Sequence, residues 1–240
     1  MNSIEQQIWG FTPEGEAGVR YTMTNAGGAS AVLSNIGAGI IAVNVPDRNG
    51  KLANVALGYD RFESYFGDGP YMGKTPGRFA NRIGEGRFTL DGKEYRLAQN
   101  SGGQHLHGGL KGFANKVWTG RVETDRVVFS LVSPDGDDKY PGEVTVEVCY
   151  DWNDDCELEI TYYAKTDAPT IINLTNHSYF NLKGESAGRA MEQELQLNAS
   201  KFLWYDKNCI PTGELVEVKG TPMDFTTAKA LARDIDAYYE

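Results

Sequence analysis

A chain of 240 residues with 23 Lys and Arg against 33 Asp and Glu carries a formal net charge of −10, so phosphate backbones and anionic lipid surfaces are repelled on average. The length is enough to bury one sizeable core, and residues 1–240 are expected to form a single domain. No apolar run is long enough for a membrane span, and Met1–Gln7 has neither the basic start nor the apolar centre of a signal peptide, which together point to a soluble protein of the cytoplasm that binds neither nucleic acid nor membrane.

The 28 glycines, with plentiful Thr, Val and Tyr, favour strands and turns over helices. Short bursts of alternating apolar and polar residues predict strands at Val19 to Thr24, Ala31 to Ile36, Ile40 to Val45 and Asn54 to Leu57. A short helical piece is expected around Arg61 to Tyr65. Then Arg87 to Leu90 and Lys93 to Leu97 flank Asp91-Gly92, a dipeptide that readily takes the positive φ angles of a two-residue hairpin turn. Further strands are expected at Val127 to Val132, Val144 to Trp152, Glu157 to Ala164 and Glu194 to Leu197, the middle two joined as a hairpin across Asn153-Asp154-Asp155. The final segment reads as a helix that Thr227 caps, with Ala228, Leu231, Ile235 and Tyr238 recurring every three to four residues. The whole is an all-β pattern, a large antiparallel sandwich.

Cys149, Cys156 and Cys209 are too few and too irregular for a disulfide framework or a zinc pattern, and read as free thiols. Gly73-Lys74-Thr75 imitates the end of a phosphate loop, but position 68 is Asp where that loop needs Gly. His105, His107 and His177 are a conceivable three-histidine metal set, since the first two share one face of a strand. Any one of these histidines, taken alone, is more often a satisfied core residue than a catalyst.

Chemistry concentrates in three segments: Gly77-Arg78-Phe79-Ala80-Asn81-Arg82-Ile83-Gly84, Leu106-His107-Gly108-Gly109, and Asn173-Leu174-Thr175-Asn176-His177-Ser178-Tyr179-Phe180-Asn181-Leu182. Their arginines, amides and two histidines suit the gripping of hydroxyl groups and the movement of protons. In order along the chain, and with Asp91-Gly92-Lys93-Glu94-Tyr95, Gly112-Phe113 and Val117-Trp118, they resemble the galactose mutarotase (aldose 1-epimerase) family. The resemblance implies the β-sandwich of that family and an isomerase that interconverts the α and β anomers of galactose or a related hexose. It implies His177 as the acid that protonates the ring oxygen. It places His107 on the sugar near that oxygen, with Asn81 and Arg82 on hydroxyls, and no metal or other cofactor. Histidine suits the acid role because its unperturbed pKa is roughly 6.5. Tyr179 and Phe79 are expected to furnish an apolar wall with a polar edge.

Position 104 is Gln where the family commonly has Asn. Family members continue past the equivalent of Glu240 into a Gly-Tyr-Asp-His-Asn-type motif and the Glu that serves as general base. The resemblance therefore implies a C-terminally incomplete member without its base, inactive or nearly so as it stands. A non-catalytic carbohydrate-binding module on the same fold, or a relative of the hexose-phosphate epimerases, are the alternatives. Oligomeric state is not legible in the sequence.

Overall fold

The computed structural model describes residues 3–238, which divide into two compact units, one ending at Phe180 and the other beginning at Asn181. In the first unit β1 (Ser3–Phe11), β2 (Ala17–Thr24), β3 (Ser30–Ser34), β4 (Gly39–Pro46) and β5 (Leu52–Asn54) form a five-stranded antiparallel meander. Two small ribbons follow. One pairs β6 (Arg82–Ile83) with the later β9 (His105–Leu106), and the other is the hairpin of β7 (Arg87–Leu90) and β8 (Lys93–Arg96). A four-stranded antiparallel sheet then runs β10 (Thr119–Glu123), β11 (Arg126–Ser133), β12 (Val144–Trp152) and β13 (Leu158–Thr166).

Period-two patterning makes this unit a sandwich. In β12, Val144, Val146, Val148, Tyr150 and Trp152 share one face and are buried. They join Val127 and Phe129 of the same sheet, and Tyr21, Met23, Ala31, Leu33, Ile40 and Val43 of the other, in one apolar cluster. Each large side chain in it stabilises the fold by roughly 1.5–3 kcal/mol through burial. Two polar tips inside the cluster are satisfied: the Tyr150 hydroxyl donates to the Ala38 carbonyl at 2.7 Å and Trp152 Nε1 to Ala29 at 3.2 Å. Close approach explains Gly10 and Gly18, over which the ring of Phe62 lies; a Cβ at either would stand within 2.3 or 2.0 Å of it.

Both expected hairpins form. Asp91 and Gly92 have φ of 50° and 76° and pair Leu90 with Lys93, and β12 pairs with β13 across Asn153 to Glu157. The fourth expected strand lies earlier than Asn54 to Leu57, because Asn54 closes the pairing with β4 and its side chain accepts the amides of Val43 and Ala56. The piece at Arg61 to Tyr65 is a 3₁₀ turn over Phe62–Tyr65. Cys149, Cys156 and Cys209 are free thiols.

In the second unit β14 (Glu194–Leu195) pairs with β17 (Lys229–Ala230), and β15 (Lys201–Tyr205) with β16 (Pro211–Glu217). The expected C-terminal helix is shorter than its periodicity suggests. Residues Lys229 and Ala230 are taken up in pairing with β14, so neither Thr227 nor Ala228 is helical. A 3₁₀ turn over Leu231–Asp234 leads into α1 (Ile235–Tyr238), and Tyr239 and Glu240 lie outside the described residues. Among the described residues no helix is long and apolar enough to cross a membrane.

Candidate active site

The β6–β9 ribbon sets Arg82 opposite Leu106, and each strand then delivers the next site residue through a turn. Asn81 and His107 both have positive φ, 67° and 52°, a region that asparagine tolerates and most side chains avoid. Gly108 supplies the room for this turn: a Cβ there would stand 1.6 Å from the Gly77 carbonyl oxygen. The two residues grip each other. The His107 amide donates to the Asn81 carbonyl at 3.1 Å, and the Asn81 amide donates to His107 Nδ1 at 3.0 Å.

The third segment, Asn173 to Phe180, belongs to no named strand and contributes only isolated bridges, Asn173 with Phe79 and Phe180 with Ala56. Its backbone is tied to the first segment at Asn173, and to Gly73 and Lys74, just before that segment, at His177. Ala80 donates to the Asn173 carbonyl at 2.7 Å, the His177 amide donates to Lys74 at 2.8 Å, and Gly73 donates to the His177 carbonyl at 3.0 Å. Asn176 fixes the middle by donating to the Gly73 carbonyl at 2.8 Å. The result is an open cleft of about 670 Å³, lined by Ala80, Asn81, Arg82, His107 and the residues from Asn173 to Tyr179. That volume lies in the range of small-ligand sites.

Within the cleft the rings of His107 and His177 meet edge to face, with centroids 5.2 Å apart. His107 accepts at Nδ1, so its neutral ring carries the proton on Nε2 and presents a donor. Burial, reinforced by the adjacent His177 and Arg82, pushes its pKa down to about 4. It is uncharged at neutral pH. Tyr179 stacks at a tilt on His177 with centroids 5.2 Å apart, and its hydroxyl donates to the Pro70 carbonyl at 3.1 Å. Arg82 reaches the Asn81 side-chain oxygen at 3.3 Å.

The structure thus brings together Asn81, Arg82, His107, His177 and Tyr179. It separates four other residues from them. Phe79 packs with Ile83, Leu97 and Tyr140 and does not line the cleft. Arg78 is 2% exposed and donates to the carbonyls of Ser133, Pro134 and Pro141 at 2.8–2.9 Å, a structural role. His105 is fully buried with both ring nitrogens engaged: Nδ1 donates to the Ala98 carbonyl at 2.8 Å, and Nε2 accepts the Tyr140 hydroxyl at 2.6 Å. No ring nitrogen of His105 is left for the other two histidines to share a metal with. Gln104 likewise turns inward, accepting the Glu85 amide at 2.6 Å. Among the described residues lining the cleft there is no carboxylate.

A model of the aldose 1-epimerase family matches residues 19–240. The galactose mutarotase of Bos taurus is 41% identical over 239 residues, which cover all of this chain and 70% of that protein. The chain belongs to the aldose 1-epimerase family. The family's aldose 1-epimerase from Escherichia coli K12 is 36% identical over 225 residues, 93% of this chain and 65% of that protein. Among solved structures, an aldose epimerase homologue from Caenorhabditis elegans superposes with a TM-score of 0.85 at 34% identity, covering 90% of this chain and 66% of that one. The galactose 1-epimerase of Lactobacillus acidophilus gives the same TM-score at 28% identity, covering 97% and 68%. The chain therefore spans about two thirds of the length of the relatives it matches, and the antiparallel sandwich is that of its family.

Motif reading missed two contributors. Tyr71, φ 54°, packs its ring at 4.8 Å from His107 and 6.1 Å from His177. Asn176 anchors the segment that carries His177. The sequence signal for Tyr71 was an aromatic held between turn residues in Gly69-Pro70-Tyr71-Met72-Gly73.

Proposed function

We propose that the protein bearing this chain is an aldose 1-epimerase acting on galactose or a related free hexose, with the cleft at His107 and His177 as the sugar site. The supporting observation is that facing pair: a neutral His107 offering Nε2–H, set against His177 in a cleft with an arginine and several amides. Exchange of anomers breaks the bond between C1 and the ring oxygen. His177 gives a proton to the ring oxygen as that bond breaks, while the anomeric hydroxyl loses its own proton and C1 becomes an aldehyde carbon. Rotation of the aldehyde and closure on its other face return the proton to His177. His107 donates a hydrogen bond near the ring oxygen. Asn81 and Arg82 fix hydroxyls, and the Tyr179 ring supplies apolar contact.

The base that takes the anomeric proton is not assigned to any residue of the cleft, whose described lining has no carboxylate. Arg82 is the single cation among the described lining residues, which suits neutral sugars better than hexose phosphates. Nothing in this proton transfer calls for a cofactor, and the free thiols suit a cytoplasmic setting.

Two-dimensional exchange NMR between the α and β anomers of galactose tests the reading. The longer protein that bears this chain and a base accelerates exchange, and His177→Asn in it lowers turnover by about two to four orders of magnitude with a smaller change in affinity. Near-full turnover in His177→Asn would remove His177 from the acid role.

A further inference from the structure

The loop from Asp68 to Lys74 runs beneath the site, and it contains a buried ion pair that the reaction as described does not use. Lys74 and Asp68 have side chains 0% and 2% exposed. Lys74 Nζ donates to Asp68 Oδ1 and to the Tyr65 carbonyl. The other carboxylate oxygen of Asp68 accepts the Met72 amide at 2.9 Å, and the Asp68 carbonyl accepts the Tyr71 amide at 3.3 Å. A buried ammonium and carboxylate are costly to desolvate, and their attraction seldom leaves a net gain in stability. What they do fix is geometry: the two partners are the ends of one seven-residue loop, Asp68 to Lys74, and lock it.

That loop presents Tyr71. Its ring is edge-on to His107 with centroids 4.8 Å apart and tilted to His177 at 6.1 Å, so one side chain touches both histidines. The same loop supplies the Pro70 carbonyl that receives the Tyr179 hydroxyl, the Gly73 amide bonded to the His177 carbonyl, and the Lys74 carbonyl bonded to the His177 amide. Side chain and backbone of His177 are therefore both referenced to the segment that the ion pair holds.

We propose that the Asp68–Lys74 pair is a positioning device, which seats Tyr71 as a wedge against His107 and His177 and so fixes the direction of the two imidazoles. Asp68, Tyr71 and Lys74 are positioning residues that act through the histidines. The kinetic consequence rests on the anomer-exchange reading, whereas the structural consequence is independent of it.

The test uses Tyr71→Leu and the double variant Asp68→Leu/Lys74→Met. The double variant replaces the ion pair by apolar side chains, an exchange that folds often tolerate. Ring resonances of the three histidines are recorded without sugar, and anomer exchange is measured beside them. In both variants the His107 and His177 ring signals shift and broaden while those of His105, held by Tyr140 and Ala98, stay in place. Turnover falls about ten- to hundredfold, as expected for a misplaced proton donor, with KM changed less than about threefold. Unaltered His107 and His177 signals in Tyr71→Leu would overturn the wedge, even if the double variant fails to fold. Altered signals in Tyr71→Leu with unaltered signals in the folded double variant would overturn the role of the ion pair. If the parent protein shows no anomer exchange, the anomer-exchange reading fails, and the ring signals alone decide the positioning role.

Discussion

His107 and His177 are the same residue type in one cleft, yet their surroundings differ. The Asn81 amide occupies Nδ1 of His107, and burial holds its pKa at about 4, so the ring is a neutral donor throughout the neutral range. This has a thermodynamic consequence. Protonation of His107 costs more in the folded protein than in the unfolded chain, where its pKa is near roughly 6.5. The unfolded state therefore takes up protons first as pH falls, and stability declines from about pH 6.5 towards 4. Buried His105, also lowered by desolvation, acts in the same direction. Urea unfolding between pH 7 and 4 is expected to show a shallower decline in His107→Gln than in the parent. Identical pH dependence in the two would mean that His107 is not held neutral by the fold.

Arg78 and Arg82, four residues apart in one motif, show how elements divide the labour. Arg82 ends in the cleft, while Arg78 closes the gap between its own segment and the turns after β11, satisfying three carbonyls more than 50 residues away. Arg78→Met leaves those acceptors without their donor. It should destabilise by about 3 kcal/mol, a fall in Tm of roughly 6–12 °C for a chain of this size, without removing any group from the cleft. A melting temperature within a degree of the parent's would show that the carbonyls find other donors. The family resemblance picked out Arg82, but residue pattern alone gave no role to Arg78, because the carbonyls it serves are distant in the chain. Where a strand buries one whole face, as at Val144, Val146, Val148, Tyr150 and Trp152, the period of two was legible. It was not legible in β1 or β15, whose residues are mostly exposed and carry little alternation. The histidines stood out because ordered motifs surround them. Tyr71 did not, since its role lies in ring contacts made by a loop with no period at all.

At the scale of the molecule, two antiparallel sheets in the unit ending at Phe180 close on a continuous apolar cluster and carry the site on ribbons and the segment from Asn173 to Phe180 beside it. The chemistry sits on backbone turns beside the sandwich, with Asn81 and His107 at positive φ and Gly108 in a conformation that glycine takes readily. The acidic net charge of −10 is compatible with an uncharged ligand, and the sugar reading depends on that cleft alone. The most direct measurement is a galactose titration followed through the ring resonances of the three histidines in the parent protein and in Arg82→Ala. Signals of His107 and His177 should move together along one saturable curve while His105 remains fixed, and Arg82→Ala should weaken binding about tenfold to a hundredfold. A titration that moves neither His107 nor His177, or moves His105 with them, would contradict the placement of the sugar in this cleft.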